Sequence, residues 1–316
     1  MPSHSDRLPI AVTPYPTESG IGFMLRVASA NAMSLAKLRQ LVGMGENETF
    51  NAHHEVALMG LVGLTAELRS NLLPHGARHG VGNVACYGHH FRIRAMLRTR
   101  RPQVCLACVR DAAYCEAHWD LSLSVLCLRH RCLLQDKCPS CGASLRWARP
   151  SVEWSHCKHY LGRDVGVQEI PVQITIAQQI THDLFYGKEP DFGFLGMACP
   201  GISLDAWLSL LWALGAMDAA FVSPRRGALI AAPSAADACG MVLRAVTRIQ
   251  RCQESGKGLH DLRNEVVEAP LLGTILNPVG RRDRALAMGW YAAIFGEREA
   301  EALALRHREI AQMSLF

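Results

Sequence analysis

A mainly helical protein with a small cysteine-rich insert in its middle is the fold this sequence predicts, and three observations predict it. Apolar residues recur at helical spacing on both sides of a central stretch. Eight of the twelve cysteines crowd into residues 105–157. That same stretch is broken by Gly and Pro too often to hold long helices, leaving room for short strands. At 316 residues the chain exceeds the size at which one core stops growing, so two or three modules are expected. Hydrophobic residues make up 49% of it and charged residues 19%, which excludes a disordered chain. The expected parts are a helical N-terminal region over 1–104, a double metal-binding module over 105–165, and a helical C-terminal domain over 166–316.

The elements follow in order. Three prolines between Pro9 and Pro16 block helix, so the first 20 residues read as an extended arm. From Gly22 to Leu68 the spacing is helical. Ser34 is placed to cap a helix through Leu35, Leu38, Leu41 and Val42, stopped by Gly43 and Gly45, and Val56 to Leu68 form a second. Short helices about a Gly turn are compatible with a helix-turn-helix, although plain packing produces such pairs more often. His75 to Asn83, HGARHGVGN, reads as a loop that leads into a basic segment. Beyond Ile170-Pro171 the composition turns apolar and helical. Ser203 caps a helix carrying Leu204, Leu208, Leu211 and Leu214 and ending at Gly215, and Asp237–Cys252, Arg282–Phe295 and Glu297–Gln312 give three more. A helix-turn-helix is compatible with this C-terminal part as well.

The N-terminus has no basic stretch followed by an apolar run, so no signal peptide is expected, and no segment supplies the ~18 uninterrupted apolar residues of a membrane span. Cysteines at such density without an export signal read as thiolates holding metal in a reducing cytoplasm.

The spacing of those cysteines is specific. Cys105-Leu-Ala-Cys108 and Cys127-Leu-Arg-His130 are two knuckles separated by 18 residues. Each grips an ion from a tight turn, and together they supply four tetrahedral ligands with none left open, which suits a structural zinc ion. Cys138-Pro-Ser-Cys141, followed by Gly142, is a third knuckle. Cys157 is its obvious third ligand, and His159 or His156 its fourth, with His159 preferred. Two zinc ions are therefore expected. A second site left with three ligands would be open to hydrolytic chemistry. Cys115 and Cys132 have no partner at ligand spacing and read as fillers.

Charge is unevenly distributed. Residues 69–163 carry 15 Lys/Arg against 5 Asp/Glu, whereas the flanking segments are each slightly acidic. Arg92, Arg94, Arg98, Arg100 and Arg101 precede the first knuckle, and Arg129 and Arg131 flank His130. Guanidinium groups on a rigid metal module make a plausible phosphate clamp. Arg281, Arg282 and Arg284 form a second cluster at a helix start, where positive charge opposes the macrodipole and a bound anion is one explanation. Trp119, Trp147 and Trp154 are candidates for base stacking or for a miniature core. Phosphate-binding Gly-x-x-x-x-Gly-Lys-Ser/Thr, Gly-x-Ser-x-Gly and His-Glu-x-x-His sequences are all absent, so a non-enzymatic role is expected.

Two stretches together resemble the TniQ family, related to TnsD, of transposon target-selection proteins. One is Pro14-Tyr-Pro-Thr-Glu18-Ser-Gly-Ile-Gly-Phe-Met-Leu-Arg26-Val-Ala28; the other runs from Cys105 to Leu145 and sets Trp119 between the Cys-x-x-Cys and Cys-x-x-His pairs. The resemblance implies an adaptor that binds DNA or docks on an RNA-guided CRISPR effector complex and recruits an AAA+ ATPase that activates the transposase. It also implies paired zinc motifs with helix-turn-helix elements, and in some members a homodimer. Cys105, Cys108, Cys127 and His130 match the first zinc site of the family, and Cys138 and Cys141 half of the second. The family often closes that second site with Cys-x-x-Cys-Gly, where this chain has Cys157 and then Leu161-Gly162. The alternative from a different class is a freestanding zinc-containing transcription regulator that reads DNA without partners.

Overall fold

A computed structural model describes residues 7–45, 52–64, 75–76, 84–166, 168–196, 199–216, 232–256 and 258–313. The expected helix end near Leu68 and most of the glycine-rich stretch 75–83 lie outside them. The chain forms two compact units, residues 1–170 and 171–316. The boundary in the chain falls at Ile170-Pro171, where the composition changes.

The first unit starts with an extended arm and then α1 (Gly20–Ala30), α2 (Leu35–Leu41) and α3 (Ala52–Val62). Ser19 and Ser34 cap α1 and α2 by accepting from the amides of Gly22 and Lys37. The arm is pinned at both ends of this helical group. Leu8 N donates to Leu61 O, and the Asn31 amide at the end of α1 exchanges hydrogen bonds with the backbone of Ile10. A small antiparallel sheet of β1 (His75–Gly76), β2 (Val84–Cys86) and β3 (His89–Phe91) follows. Next come α4 (Leu106–Ala112) and a hairpin of β4 (Leu126–Cys127) and β5 (Cys132–Leu133), in which Cys127 lies opposite Cys132.

One core runs through this unit on both sides of residue 104. Phe23, Leu25, Leu38 and Leu58 from the helices pack in the same cluster as Val104, Cys105, Trp119, Leu145 and Leu161. The cysteine-rich stretch is thus built against the N-terminal helices and shares their apolar interior. Leu35, Leu38, Leu58, Met59 and Val62 spend the inner faces of α2 and α3 on that packing, and α3 carries no Lys or Arg.

The second unit holds α5 (Val172–Phe185), α6 (Leu204–Gly215), α7 (Ala235–Ser255), α8 (Glu268–Leu276), α9 (Asp283–Phe295) and α10 (Glu297–Met313). Every residue of α6 is buried, which is why it reads as apolar all round. Its last carbonyls are satisfied by side chains of α7: Arg244 Nε donates to Gly215 O and Arg248 to Leu214 O. Glycine is required at 215 because a Cβ there would sit 2.2 Å from Met241 O on α7. No helix among the described residues is long and apolar enough to cross a membrane.

Candidate metal centres and basic surface

The N-terminal motif works as a clamp. Glu18, fully buried, takes a forked pair from Arg26 at 2.6 and 2.7 Å, and the Arg26 guanidinium lies 4.5 Å over the Tyr15 ring. Backbone bonds from Ser19 N to Cys115 O and from Ala117 N to Thr17 O tie this segment to the stretch after α4. Below it, Asp120 is buried and accepts from Ser19 Oγ and Tyr87 OH, each at 2.7 Å. Burial pushes its carboxyl up to about 6, although both hydroxyls oppose the shift.

The first knuckle pair closes into one site. Cys105, Cys108, Cys127 and His130 offer ligand atoms that all lie within 4.8 Å of one another, so the group could hold a metal ion. The Cys105 sulfur caps α4 by accepting from Cys108 N at 3.3 Å, which fixes both thiols at the helix start. The β4–β5 hairpin brings in Cys127, and the turn after it delivers His130. His130 Nδ1 lies 3.5, 3.1 and 3.7 Å from the sulfurs of Cys105, Cys108 and Cys127, and Cys108 and Cys127 are 3.6 Å apart. A tetrahedral zinc site has sulfur–sulfur edges of ~3.8 Å and sulfur–nitrogen edges of ~3.6 Å, so these separations fit one ion. The Cys108 thiol, hydrogen-bonded to Cys105, holds the Cys105 thiol down to about 7.

The other ring nitrogen is also used. His130 Nε2 pairs with Asp111 Oδ2 at 2.9 Å, which orients the imidazole with Nδ1 facing the sulfurs. Arg110 and His130 hold the Asp111 carboxyl below the ordinary range. Asp111 escaped the sequence reading, although it lies three residues after Cys108 on α4 and therefore on the ligand face. Cys132, expected to be a filler, escaped as well. Its sulfur lies 3.4 Å from that of Cys105, as the hairpin register opposite Cys127 implies.

The second group is Cys138, Cys141 and Cys157, again within 4.8 Å of one another and able to hold an ion. Two turns present it. The first joins Lys137 to Ser144 and passes through Gly142 at φ +70°, and the second joins Trp154 to Tyr160. Cys138 and Cys157 are 3.6 Å apart. Burial raises the Cys138 thiol, but the Ser155 hydroxyl and the amides of Cys141 and Ser140 outweigh it and bring the thiol to about 6. The preference for His159 as fourth ligand is corrected here. Its Nε2 is 2.5 Å from Asp164 Oδ2, whereas His156 Nε2 is 4.0 Å from the Cys141 sulfur. The reason is local: Lys158, at φ +62°, turns the chain between Cys157 and His159 and sends the His159 side chain to Asp164.

The arginines divide by burial. Arg100 and Arg101 are exposed on a short loop held at both sides: Leu97 pairs with Leu121, Val104 with Gln135, and the buried Gln103 amide donates to the carbonyls of Trp119, Leu121 and Ser124. Arg94, Arg129 and Arg131 are exposed too. Arg92 and Arg98 are corrected from the expected phosphate contacts, because both are buried. Arg98 sits 3.6 Å from Asp136, and burial pulls its guanidinium down to about 10 against the pull of that carboxylate. In the second unit Arg281, Arg282 and Arg284 are all exposed, and two of them also have a structural role. Arg284 donates to Ile275 O and Leu276 O at the end of α8, and Arg282 to Pro200 O. Asp283, buried, takes the start of α9 by accepting from Gly280 N and from Ser203. Of the tryptophans, Trp119 and Trp147 are core, whereas Trp154 is exposed with its ring centroid 5.5 Å from that of Tyr160.

No curated protein matches this chain. Residues 9–134, which include the Glu18–Arg26 clamp and all four residues of the first metal group, match the model of the TniQ family, so this part of the chain is similar to that family.

Proposed function

We propose that the chain is a non-catalytic target-selection adaptor of transposition that acts in the cytoplasm. In this reading two zinc ions, one on Cys105, Cys108, Cys127 and His130 and one on Cys138, Cys141, Cys157 and His156, hold a basic module rigid. Arg94, Arg100, Arg101, Arg129 and Arg131 contact the phosphates of DNA or of an RNA-guided effector complex, and Arg281 is a further contact. The helical regions over 1–104 and 166–316 offer surface to an AAA+ ATPase and, through it, to the transposase. The carrying observation is the TniQ match over residues 9–134.

Chemistry supports the division of labour. A site with four protein ligands leaves no position for substrate, so the metal contributes folding energy and holds the loops in place. The 97–104 loop meets the same requirement with hydrogen bonds, since its arginines are displayed between two anchored ends.

The test is a transposition assay with the chain, ATPase and transposase encoded together. Omission of the chain, or Cys105→Ser, is expected to abolish insertion at the selected site, and the purified chain to co-elute with the ATPase. Target choice that persists without the chain would refute the adaptor reading. Tight sequence-specific duplex binding by the chain alone, with no ATPase association, would establish the freestanding regulator in its place.

A further inference from the structure

We propose that Cys132 is a reserve ligand of the first metal site, a fifth protein group that takes the place of His130 when the imidazole leaves. This rests on the zinc reading above and extends it to the identity and exchange of the ligands.

Position carries the proposal. Cys132 lies directly across the hairpin from Cys127, and its sulfur is 3.4 Å from that of Cys105. That separation is shorter than the ~3.8 Å edge of a four-sulfur zinc tetrahedron and far longer than a disulfide bond of ~2.05 Å. A free thiol therefore already stands at ligand distance from one member of the site and faces a second. It is not a fifth corner of the present tetrahedron, and it stands half-buried at the edge of the packed interior.

His130 is the ligand best placed to leave. It is the one nitrogen among three sulfurs and the least buried of the four, and its outer nitrogen depends on the surface residue Asp111. It stands between the exposed Arg129 and Arg131, on the turn that a phosphate backbone would press against. Arg131, at φ +49°, turns the chain between His130 and Cys132, so one short turn brings both the ring and the thiol beside the Cys105 sulfur. Exchange balances without an oxidant: the metal–nitrogen bond breaks, a metal–sulfur bond to Cys132 forms, and the Cys132 thiol proton passes to the released imidazole. The site becomes more negative by one charge and the imidazolium carries the compensating positive charge toward the surface. The metal is kept, and the turn bearing Arg129 and Arg131 is freed to move.

The experiment measures zinc per chain in the full-length protein and the absorption spectrum of its cobalt(II) form. It compares wild type, Cys132→Ser, His130→Ala and the double variant. Wild type and Cys132→Ser are expected to hold equal zinc with a spectrum of three sulfurs and one nitrogen at the first site. His130→Ala is expected to hold the same amount with a four-sulfur spectrum, and the double variant one equivalent less. Loss of an equivalent, or of the fold, in His130→Ala alone overturns the proposal, and so does loss in Cys132→Ser alone, which would make Cys132 a primary ligand. Wild-type protein that binds no zinc would instead overturn the zinc reading itself.

Discussion

Asp120→Asn isolates the cost of one buried charge. Asp120 is buried, has two hydroxyl donors and no cation among its hydrogen-bond partners, and its carboxyl is pushed from 3.8 to about 6. A folded-state value above the unfolded one means that the native protein holds the proton more tightly. This contribution to stability is therefore present in full below pH 3.8 and is lost as the pH rises through 6. Integrated, the loss is about 3 kcal/mol at neutral pH, most of it between pH 4 and 7.5. Asparagine keeps an acceptor for Ser19 or Tyr87 but has no charge to bury, so any fixed hydrogen-bond penalty is independent of pH. Urea midpoints, read by exchange of the buried thiols Cys86 and Cys115 with a dipyridyl disulfide, which reacts in acid as well as at neutral pH, in wild type and variant at each pH, give the difference directly. Acid effects on the metal ligands are shared by both proteins and cancel. The variant should gain on wild type by about 2–3 kcal/mol from pH 4 to 7.5; a difference that stays flat over that range refutes the assignment.

Four further outcomes are expected. Cys105→Ser or Cys127→Ser should remove about one metal equivalent and expose the first unit to protease, because a structural ion contributes folding energy outright; unchanged metal content and melting would rule that out. Asp111→Asn should weaken metal retention by roughly 10–100-fold against a competing chelator, as loss of a carboxylate behind a ligating histidine does elsewhere; equal retention would show that the pair is incidental. Changing Arg100 and Arg101 together to Gln should lower the salt slope of nucleic-acid binding by up to about 2 without altering the fold, whereas Arg98→Gln should instead destabilise it; an unchanged slope would clear the loop of any phosphate contact. Gly215→Ala should cost the second unit about 1–3 kcal/mol, because its Cβ meets the Met241 carbonyl, and calorimetry showing no loss would contradict the close approach of α6 and α7.

Much of this was legible in the sequence because it is local. Ser34 and Ser203 do cap helices at the predicted starts, Gly215 does end α6, and the Cys-x-x-Cys and Cys-x-x-His spacings do converge on one site. Expectations failed where a residue's role depends on partners distant in sequence or on one backbone angle. Arg98 reads as part of a basic run until Asp136 and the Asp120 carbonyl enclose it. Between His156 and His159, spacing is silent, and a positive φ at Lys158 decides. Cys132 was recoverable in principle, since a four-residue turn between Cys127 and Cys132 places them opposite each other, a strand-pairing argument that knuckle spacing does not contain.

On the zinc and adaptor reading proposed above, the shared interior of the first unit couples the protein to the metal economy of its cell. Cys105, Cys108, Cys127 and Cys138 belong to the same apolar cluster as Phe23, Leu38 and Leu58, so a chain synthesised during zinc shortage lacks support for its N-terminal helices as well as its knuckles. On that reading quality-control proteases encounter an unfinished unit, and the frequency of directed insertion falls with the supply of a nutrient ion.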